Sequence, residues 1–404
     1  MATEPFQNPY KPGAGHAPPY LAGREHETNE FRKLLLQTLI LENLVLTGLR
    51  GVGKTVLLDT FKPIAIKDIW RWTSTDLSES ATISEESIAT RLITDLAVLT
   101  SGIVISKTAT GGIGFTPTIK LVNQTSSYNV LRYLYENTPG LVSDKLKFVL
   151  EFVWQLLKSE GCKGIILAYD EAQNLSDQAA KDQYPLSILL DVFQSIQKKG
   201  IPFMLILTGL PTLFPKLVEA RTFSERMFHV LTLSKLSREA SHEAILKPIQ
   251  DSKCPITFNE PTVVEIINLS NGYPYFIQFI CRELFDVFIQ KMAAGETKPT
   301  ASWIDILRKL DGDFFAGRWS RATDRQRELL KAISSLPNCD EEFTVQEIVD
   351  QSKKLSTKSF SSSHVNQMLS KLAEAGLVYK NRFGKYSFAV PLLGEFIKRQ
   401  QEEQ

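Results

Sequence analysis

The chain has 404 residues, enough for two or three domains around at least one large core. Apolar residues make up 43% and charged residues 23%, a balance that excludes a disordered or fibrous chain. A formal net charge of +1 excludes a global field that gathers nucleic acid, so any basic surface must be local.

Residues 1–20 carry Pro5, Pro9, Pro12, Pro18 and Pro19 with Gly13 and Gly15, which reads as an extended lead-in rather than a helix or central strand. Tyr20-Leu21-Ala22-Gly23-Arg24-Glu25 follows, then an amphipathic stretch from Glu27 to Leu39 with Phe31, Leu34, Leu35 and Leu39 on one face. The apolar run Asn43–Thr47 suits a buried strand. It leads into Gly48-Leu49-Arg50-Gly51-Val52-Gly53-Lys54-Thr55, a G-x-x-x-x-G-K-T pattern, and Val56–Phe61 continues as a helix. Strand, glycine loop and helix start are the context that makes this pattern a phosphate loop. The glycines let successive N–H groups turn toward an anion, and the helix N-terminus adds partial positive charge. Gly48, Gly51, Val52, Gly53, Lys54, Thr55 and Val56 form the candidate cradle. Lys54 reaches toward β/γ-phosphates and the Thr55 hydroxyl is a candidate Mg2+ ligand, so the expected pair is ATP with Mg2+.

Ile64–Trp72 reads as a second strand, and Ser84–Leu99 as a helix capped by Ser84. Gly102–Leu121 reads as an inserted hairpin, with strands Ile103–Ser106 and Thr118–Leu121, either an edge elaboration or a device that touches a partner. Leu141–Lys158 is helical. Gly164–Glu171 is then a buried parallel strand ending in two carboxylates. Asp170 at such a tip can hold Mg2+ through its water shell, and Glu171 can orient and deprotonate a water. Pro185–Lys199 is an amphipathic helix, and Ile201–Gly209 a further buried strand whose Thr208 is a candidate γ-phosphate or water sensor. Arg221 and Arg226 precede a last strand, Val230–Leu233. Either is a surface cation or a group that stabilises transition-state charge, in cis or across a subunit boundary, with Arg226 the better placed.

Residues 236–292 are helical, broken by a Gly272-Tyr273-Pro274 corner. Pro274 is either an ordinary first-turn proline or a residue packing on adenine. Residues 293–300 form a linker. Beyond about Ala301 the first clear helix is Asp324–Ile333. Thr344–Asp350 follows with a Thr344/Glu347 capping box, then Ser361–Ala375 with Val365, Met368, Leu369 and Leu372 as its stripe. Gly376 ends that helix, and Leu377–Lys380 with Lys385–Ala389 form a hairpin. This is the winged helix-turn-helix plan. Between Lys353 and Lys385 there are seven Lys/Arg and one acid, Glu374. Lys371, Arg382, Lys385, Asn366 and Gln367 are candidate contacts to double-stranded DNA; the alternative is an adapter for a protein partner.

Together, the phosphate loop, the Asp170-Glu171 tip, Thr208, the Arg226 region, the Gly272-Tyr273-Pro274 corner and the C-terminal winged helix resemble the AAA+/STAND-type P-loop ATPases. The likeness is strongest to an origin-recognition-like ATPase domain and covers about residues 20–400. The resemblance implies an α/β fold with a parallel sheet in the order 5-1-4-3-2, helices on both faces and a helical lid. It also implies nucleotide-dependent switching, often with homo-oligomer formation or DNA association, and places Arg24 at the border of the adenine pocket. The expected division is a lead-in (1–20), an ATPase core (21–235), a lid (236–300) and a winged-helix domain (301–404). Initiator relatives carry a lid arginine at the γ-phosphate; here the lid offers the Gly-x-Pro corner of STAND proteins and only a distant Arg282, which favours slow hydrolysis. The two function classes are a DNA-associated ATPase and a STAND-like signalling switch. Cys162, Cys254, Cys281 and Cys339 form no C-x-x-C pair. With no membrane span and no signal segment, the expected compartment is the cytoplasm.

Overall fold

Runs of apolar residues become strands buried on both faces, and these set the architecture. The structure is a computed structural model, and it describes residues 7–13, 15–105, 124–178, 180–252, 254–355, 359–382 and 384–402. In chain order come α1 (Glu25–Leu35), β1 (Asn43–Gly48), α2 (Lys54–Lys67), β2 (Trp70–Asp76) and α3 (Glu85–Thr100). A short pair, β3 (Val104–Ile105) and β4 (Gln124–Thr125), precedes α4 (Tyr128–Asn137), α5 (Val142–Ser159) and β5 (Gly164–Asp170). Then follow α6 (Pro185–Lys198), β6 (Phe203–Gly209), α7 (Leu213–Ala220), α8 (Ser224–Met227) and β7 (Phe228–Leu233).

The sheet order is β2-β5-β6-β1-β7. Counting only these core strands along the chain, it is 5-1-4-3-2 read from β7, as the resemblance implies. β1, β5 and β6 are buried at every residue, whereas the edge strands β2 and β7 mix buried with partly or fully exposed residues. On one face Ile165, Leu167 and Tyr169 of β5 join Phe203, Leu205 and Leu207 of β6 in a core with α3, α5 and α6. On the other, Phe31 of α1 stacks on Phe61 of α2 at 4.2 Å and meets Trp72 edge-on at 6.2 Å.

Several expectations need correction. Ile64–Lys67 is the last turn of α2, not the start of a strand. Leu57, Leu58, Phe61 and Ala65 form its buried stripe, Ile66 faces solvent, and Pro63 is accommodated inside the helix. The strand begins only at Trp70, after Ile69 at φ 65° turns the chain. The first helix stops at Leu35, so Leu39 is 54% exposed rather than packed. Val104–Ile105 pairs antiparallel with Gln124–Thr125, while the expected strand Thr118–Leu121 lies outside the described residues.

The C-terminal half holds α9 (Arg238–Ser252), α10 (Glu260–Ser270), α11 (Pro274–Ala293), α12 (Trp303–Leu310), a π turn (Asp311–Phe315) and α13 (Ala316–Trp319). It continues with α14 (Asp324–Ser334), β8 (Phe343–Thr344), α15 (Val345–Leu355), α16 (Ser362–Glu374), β9 (Val378–Arg382), β10 (Lys385–Phe388) and α17 (Leu393–Glu402). α12 precedes the helix that reads first in the sequence. The capping box forms: Thr344 N–H donates to Glu347 at 2.6 Å, and Glu347 N–H to Thr344 Oγ1 at 3.2 Å. The hairpin is part of a three-stranded sheet, β8-β10-β9, and β9 runs through Asn381 and Arg382, which read as turn residues in the sequence. α14, α15, α16 and this sheet make a winged helix-turn-helix arrangement.

The chain divides into two compact units: Glu25–Thr47 with Leu57–Thr232, and Met1–Arg24 with Gly48–Val56 and Leu233–Gln404. In the latter the proline-rich segment is docked. Tyr10 is 2% exposed, its hydroxyl donates to the Ile245 carbonyl, and Asn8 bonds the Arg282 carbonyl at 3.0 Å and Asp286 at 2.8 Å. No helix of the described residues is long and apolar enough to cross a membrane.

Candidate functional site

The phosphate loop leaves the sheet directly after Thr47, at the carboxyl end of β1. Gly51 and Gly53 take φ of 77° and 91°, a left-handed backbone that side chains resist and that folds a loop around an anion. Gly48 is needed for space: a Cβ there would lie 2.6 Å from the Leu233 carbonyl oxygen. Lys54 Nζ donates to the Gly48 and Leu49 carbonyls, each at 2.9 Å, so the ammonium stands within the loop.

The loop is braced within its own unit. The Arg24 guanidinium is buried and donates to the Val52 carbonyl at 3.0 Å and the Ser234 carbonyl at 2.8 Å, which ties the loop to the segment after β7. Pro274 is the first residue of α11, and the next residue, Tyr275, donates its N–H to the Gly51 carbonyl at 3.2 Å. The Gly-x-Pro corner therefore grips the outside of the loop through backbone. Arg50, which sequence reasoning passed over as a filler position, reaches the turn after α16: its Nη2 lies 3.7 Å from where a Cβ on Gly376 would stand. The Arg50 Nε is buried without a partner among the described residues. Burial, with Arg50 adding to it, pushes the Arg318 guanidinium below its usual range.

The other unit, Glu25–Thr47 with Leu57–Thr232, holds the carboxylates. In the sheet register Leu46 faces Thr208, Tyr169 faces Leu207, and Asp76 faces Asp170. Continuing that register sets Asp170 beside Thr208 at the carboxyl edge, with β6, not β1, next to β5. The Thr208 and Thr47 hydroxyls are both buried without a hydrogen-bond partner among the described residues. A buried hydroxyl left without a partner is costly and marks a place where a ligand group or water completes the bonding. Behind the edge, the Tyr169 hydroxyl donates to buried Asp95 at 3.0 Å, Thr75 donates to it at 2.9 Å, and Arg91 pairs with it. Burial, reinforced by Asp95, raises the Tyr169 phenol well above its usual range. The hydroxyl remains a donor that locks the carboxyl end of β5. Glu171 is exposed at φ 51°, just past the edge.

The two arginines separate. Arg221 is bound to Asp191 by two bonds of 2.9 and 2.7 Å and has a structural partner. Arg226 is exposed, with no ion pair among the described residues, and lies in α8 two residues before the start of β7. In a parallel sheet that is the amino edge, a strand length of roughly 20 Å from the edge bearing Asp170 and Thr208. Arg226 is thus too far to serve these carboxylates from within one chain.

On the winged helix, Asn366, Gln367 and Lys371 are exposed along α16. Arg382 is exposed too, but Glu342 holds it through bonds of 3.0 and 2.6 Å. Lys385 is half-buried near Glu347. Counting charges within Lys353–Lys385 misses both acids, because they enter from the segment around β8.

Fold and site define a class: a P-loop α/β fold of the AAA+ type with a helical lid and a winged-helix arrangement. A family model described as a domain of unknown function, DUF8462, matches residues 312–397. No curated protein matches the chain by sequence. Among solved structures, the Walker-type ATPase paby2304 of Pyrococcus abyssi is similar with a TM-score of 0.54 and 16% identity, over 94% of this chain and 96% of that one. The ORC2 protein of Aeropyrum pernix in its ADP form has a TM-score of 0.54 at 12% identity, over 96% and 97% of the two chains. The same protein in ADPNP–ADP complexes gives 0.52 at 13%, over 97% and 98%. At such identities the likeness is one of fold.

Proposed function

We propose that this protein is an ATP-binding, slowly hydrolysing switch that passes its nucleotide state to the winged-helix domain. The observation that carries the reading is the row of polar groups at the carboxyl edge: Asp170 and the unpartnered Thr208 hydroxyl, on a sheet whose β1 runs straight into G-x-x-x-x-G-K-T. The residues present suit the nucleotide and its ion. Lys54 and the loop N–H groups are donors for phosphate oxygens, and the Thr55 hydroxyl and Asp170 carboxylate are the hard oxygen ligands Mg2+ prefers. When bound, Mg2+ neutralises phosphate charge. Glu171 acts as the base that takes a proton from the attacking water, Thr208 orients the γ-phosphate or that water, and Arg226 serves a neighbouring copy in a homo-oligomer.

The output side is supported by the bond from Tyr275 to Gly51 and by the approach of Arg50 to Gly376, which link loop, lid and winged helix inside one unit. The open face of α16 favours double-stranded DNA as the target. A second reading, a STAND-like adapter for a protein partner, is favoured by the Glu342–Arg382 pair, which neutralises one cation of the wing. Calorimetry and a phosphate-release assay test the core of the proposal. Lys54→Ala is expected to abolish or severely weaken ATP binding. Glu171→Gln is expected to bind ATP and leave it unhydrolysed. Unchanged ATP affinity in Lys54→Ala would remove the phosphate-loop assignment.

A further inference from the structure

We infer that Gln173 is a positioning residue for hydrolysis, one whose amide fixes the Glu171 carboxylate against the end of β6. The inference rests on the reading of Glu171 as the base. It starts from the turn Ala172–Asn174, which follows Glu171 directly. Gln173 Nε2 donates to the Glu171 carboxylate, and Gln173 Oε1 accepts the Leu210 N–H at 3.1 Å. One side chain therefore joins the base to the residue two places beyond Thr208. Gly209 lies between them, and a Cβ there would fall 2.5 Å from Gln173 Oε1, so the contact requires glycine at that position.

The turn is fastened from three directions. Asn174 Nδ2 donates to the Leu77 carbonyl at 2.9 Å, Lys216 Nζ donates to the Gln173 carbonyl at 2.8 Å, and the Glu171 N–H donates to Asp170 at 2.8 Å. Glu171 itself sits at φ 51°, a conformation that non-glycine residues keep where the surroundings hold them. Glu171 is exposed, and the Gln173 amide is the donor that sets the direction of its carboxylate.

The chemistry gives this bond a purpose. In hydrolysis the water oxygen bonds to the γ-phosphorus, the bridging P–O bond to ADP breaks, and the water proton passes to a Glu171 oxygen. A donor held on one carboxylate oxygen stabilises the charged, proton-accepting form and leaves the other oxygen directed. Because its acceptor end is anchored beyond Thr208, Gln173 keeps base and sensor in one frame.

The test measures kcat against pH, ATP affinity and thermal midpoint for the full chain and four variants. Gln173→Ala is expected to lower kcat by roughly 10- to 100-fold, a part of the roughly 10²- to 10⁴-fold that a positioned general base supplies, with ATP affinity within about twofold of wild type. Gln173→Glu keeps the acceptor for Leu210 but sets a second carboxylate on Glu171, so the acid limb of kcat should move to higher pH. Gly209→Ala, which displaces Oε1, should copy Gln173→Ala without altering either carboxamide or carboxylate. A merely structural glutamine would lower the thermal midpoint and leave the acid limb in place. Glu171→Gln is the control. If it is inactive while both Gln173 variants keep wild-type kcat and acid limb, the inference is overturned and the base assignment stands. If Glu171→Gln hydrolyses at the wild-type rate, or the wild type does not hydrolyse ATP, the base reading fails and the inference falls with it.

Discussion

Glu342 decides how strongly the wing can engage a duplex, and the expected effect can be worked from its contacts. Its Oε2 accepts from Arg382 Nη2 at 2.6 Å and Nε at 3.0 Å, and its Oε1 accepts from Asn381 at 2.6 Å. A DNA phosphate approaching Arg382 must displace a carboxylate already in place. Lys353 is similarly paired with Asp350 at 3.0 Å, whereas Lys371 is exposed on α16 with no ion pair among the described residues. The wild-type surface should therefore make fewer phosphate contacts than its cations suggest. Each contact contributes about 0.9 to the log–log salt slope, which is roughly a 3.5-fold change in affinity between 50 and 200 mM salt. Lys371→Ala should make the slope shallower by about 0.9, and Glu342→Gln should make it steeper by about 0.9 as Arg382 is released. Fluorescence anisotropy on a mixed-sequence duplex at several salt concentrations, with and without ATP, reads both. Identical slopes in all three proteins would remove this surface as a DNA site. No duplex binding by wild type in either nucleotide state would transfer the output to a protein partner.

Other expectations follow from the two units. Asp170→Asn should weaken ATP binding in Mg2+ and leave binding in EDTA nearly unchanged, as calorimetry in the two buffers would record. Because Arg226 stands at the amino edge of the sheet, Arg226→Ala mixed with Glu171→Gln should recover activity in an oligomer that exchanges subunits; no recovery there counts against action in trans. Tyr10→Phe should remove the hydrogen bond to the Ile245 carbonyl at a cost of about 0.5–1.5 kcal/mol, and Tyr10→Ala should cost about 3–5 kcal/mol. Hydrogen exchange in α9 and α11 would report both, and unchanged exchange in Tyr10→Ala would show that the N-terminal segment is not anchored there. Burial holds the Tyr10 phenol well above its usual range. Its contribution is complete below the unfolded value of about 10 and declines above it as the unfolded chain ionises, and Tyr10→Phe should remove that alkaline dependence.

Much of the fold is legible in the sequence because its physics is local or periodic. Asn43–Thr47, Gly164–Asp170 and Phe203–Gly209 are apolar runs of strand length, and only a sheet covered on both faces buries such runs completely. The phosphate loop is equally local, since glycine spacing fixes its backbone and the following helix supplies its dipole. Local patterning misleads at Ile64–Lys67, where β-branched residues suggest a strand but the stripe through Leu57, Phe61 and Ala65 continues the helix. What no window of sequence contains is the meeting of distant residues. Glu342 and Arg382 are close only because the short strand before α15 pairs with the wing sheet, and that pairing offsets one cation of a charge imbalance visible in one dimension. Tyr10 looks like part of a loose proline-rich segment until the lid helices supply its pocket and a carbonyl partner. Gln173 reads as a polar residue in a turn until β6 lies beside β5 and brings Leu210 to its amide. The elements come from short-range propensity and periodicity. The pairing of charges and the direction of functional side chains come from contacts across the sheet and within each unit, and only the tertiary structure decides those.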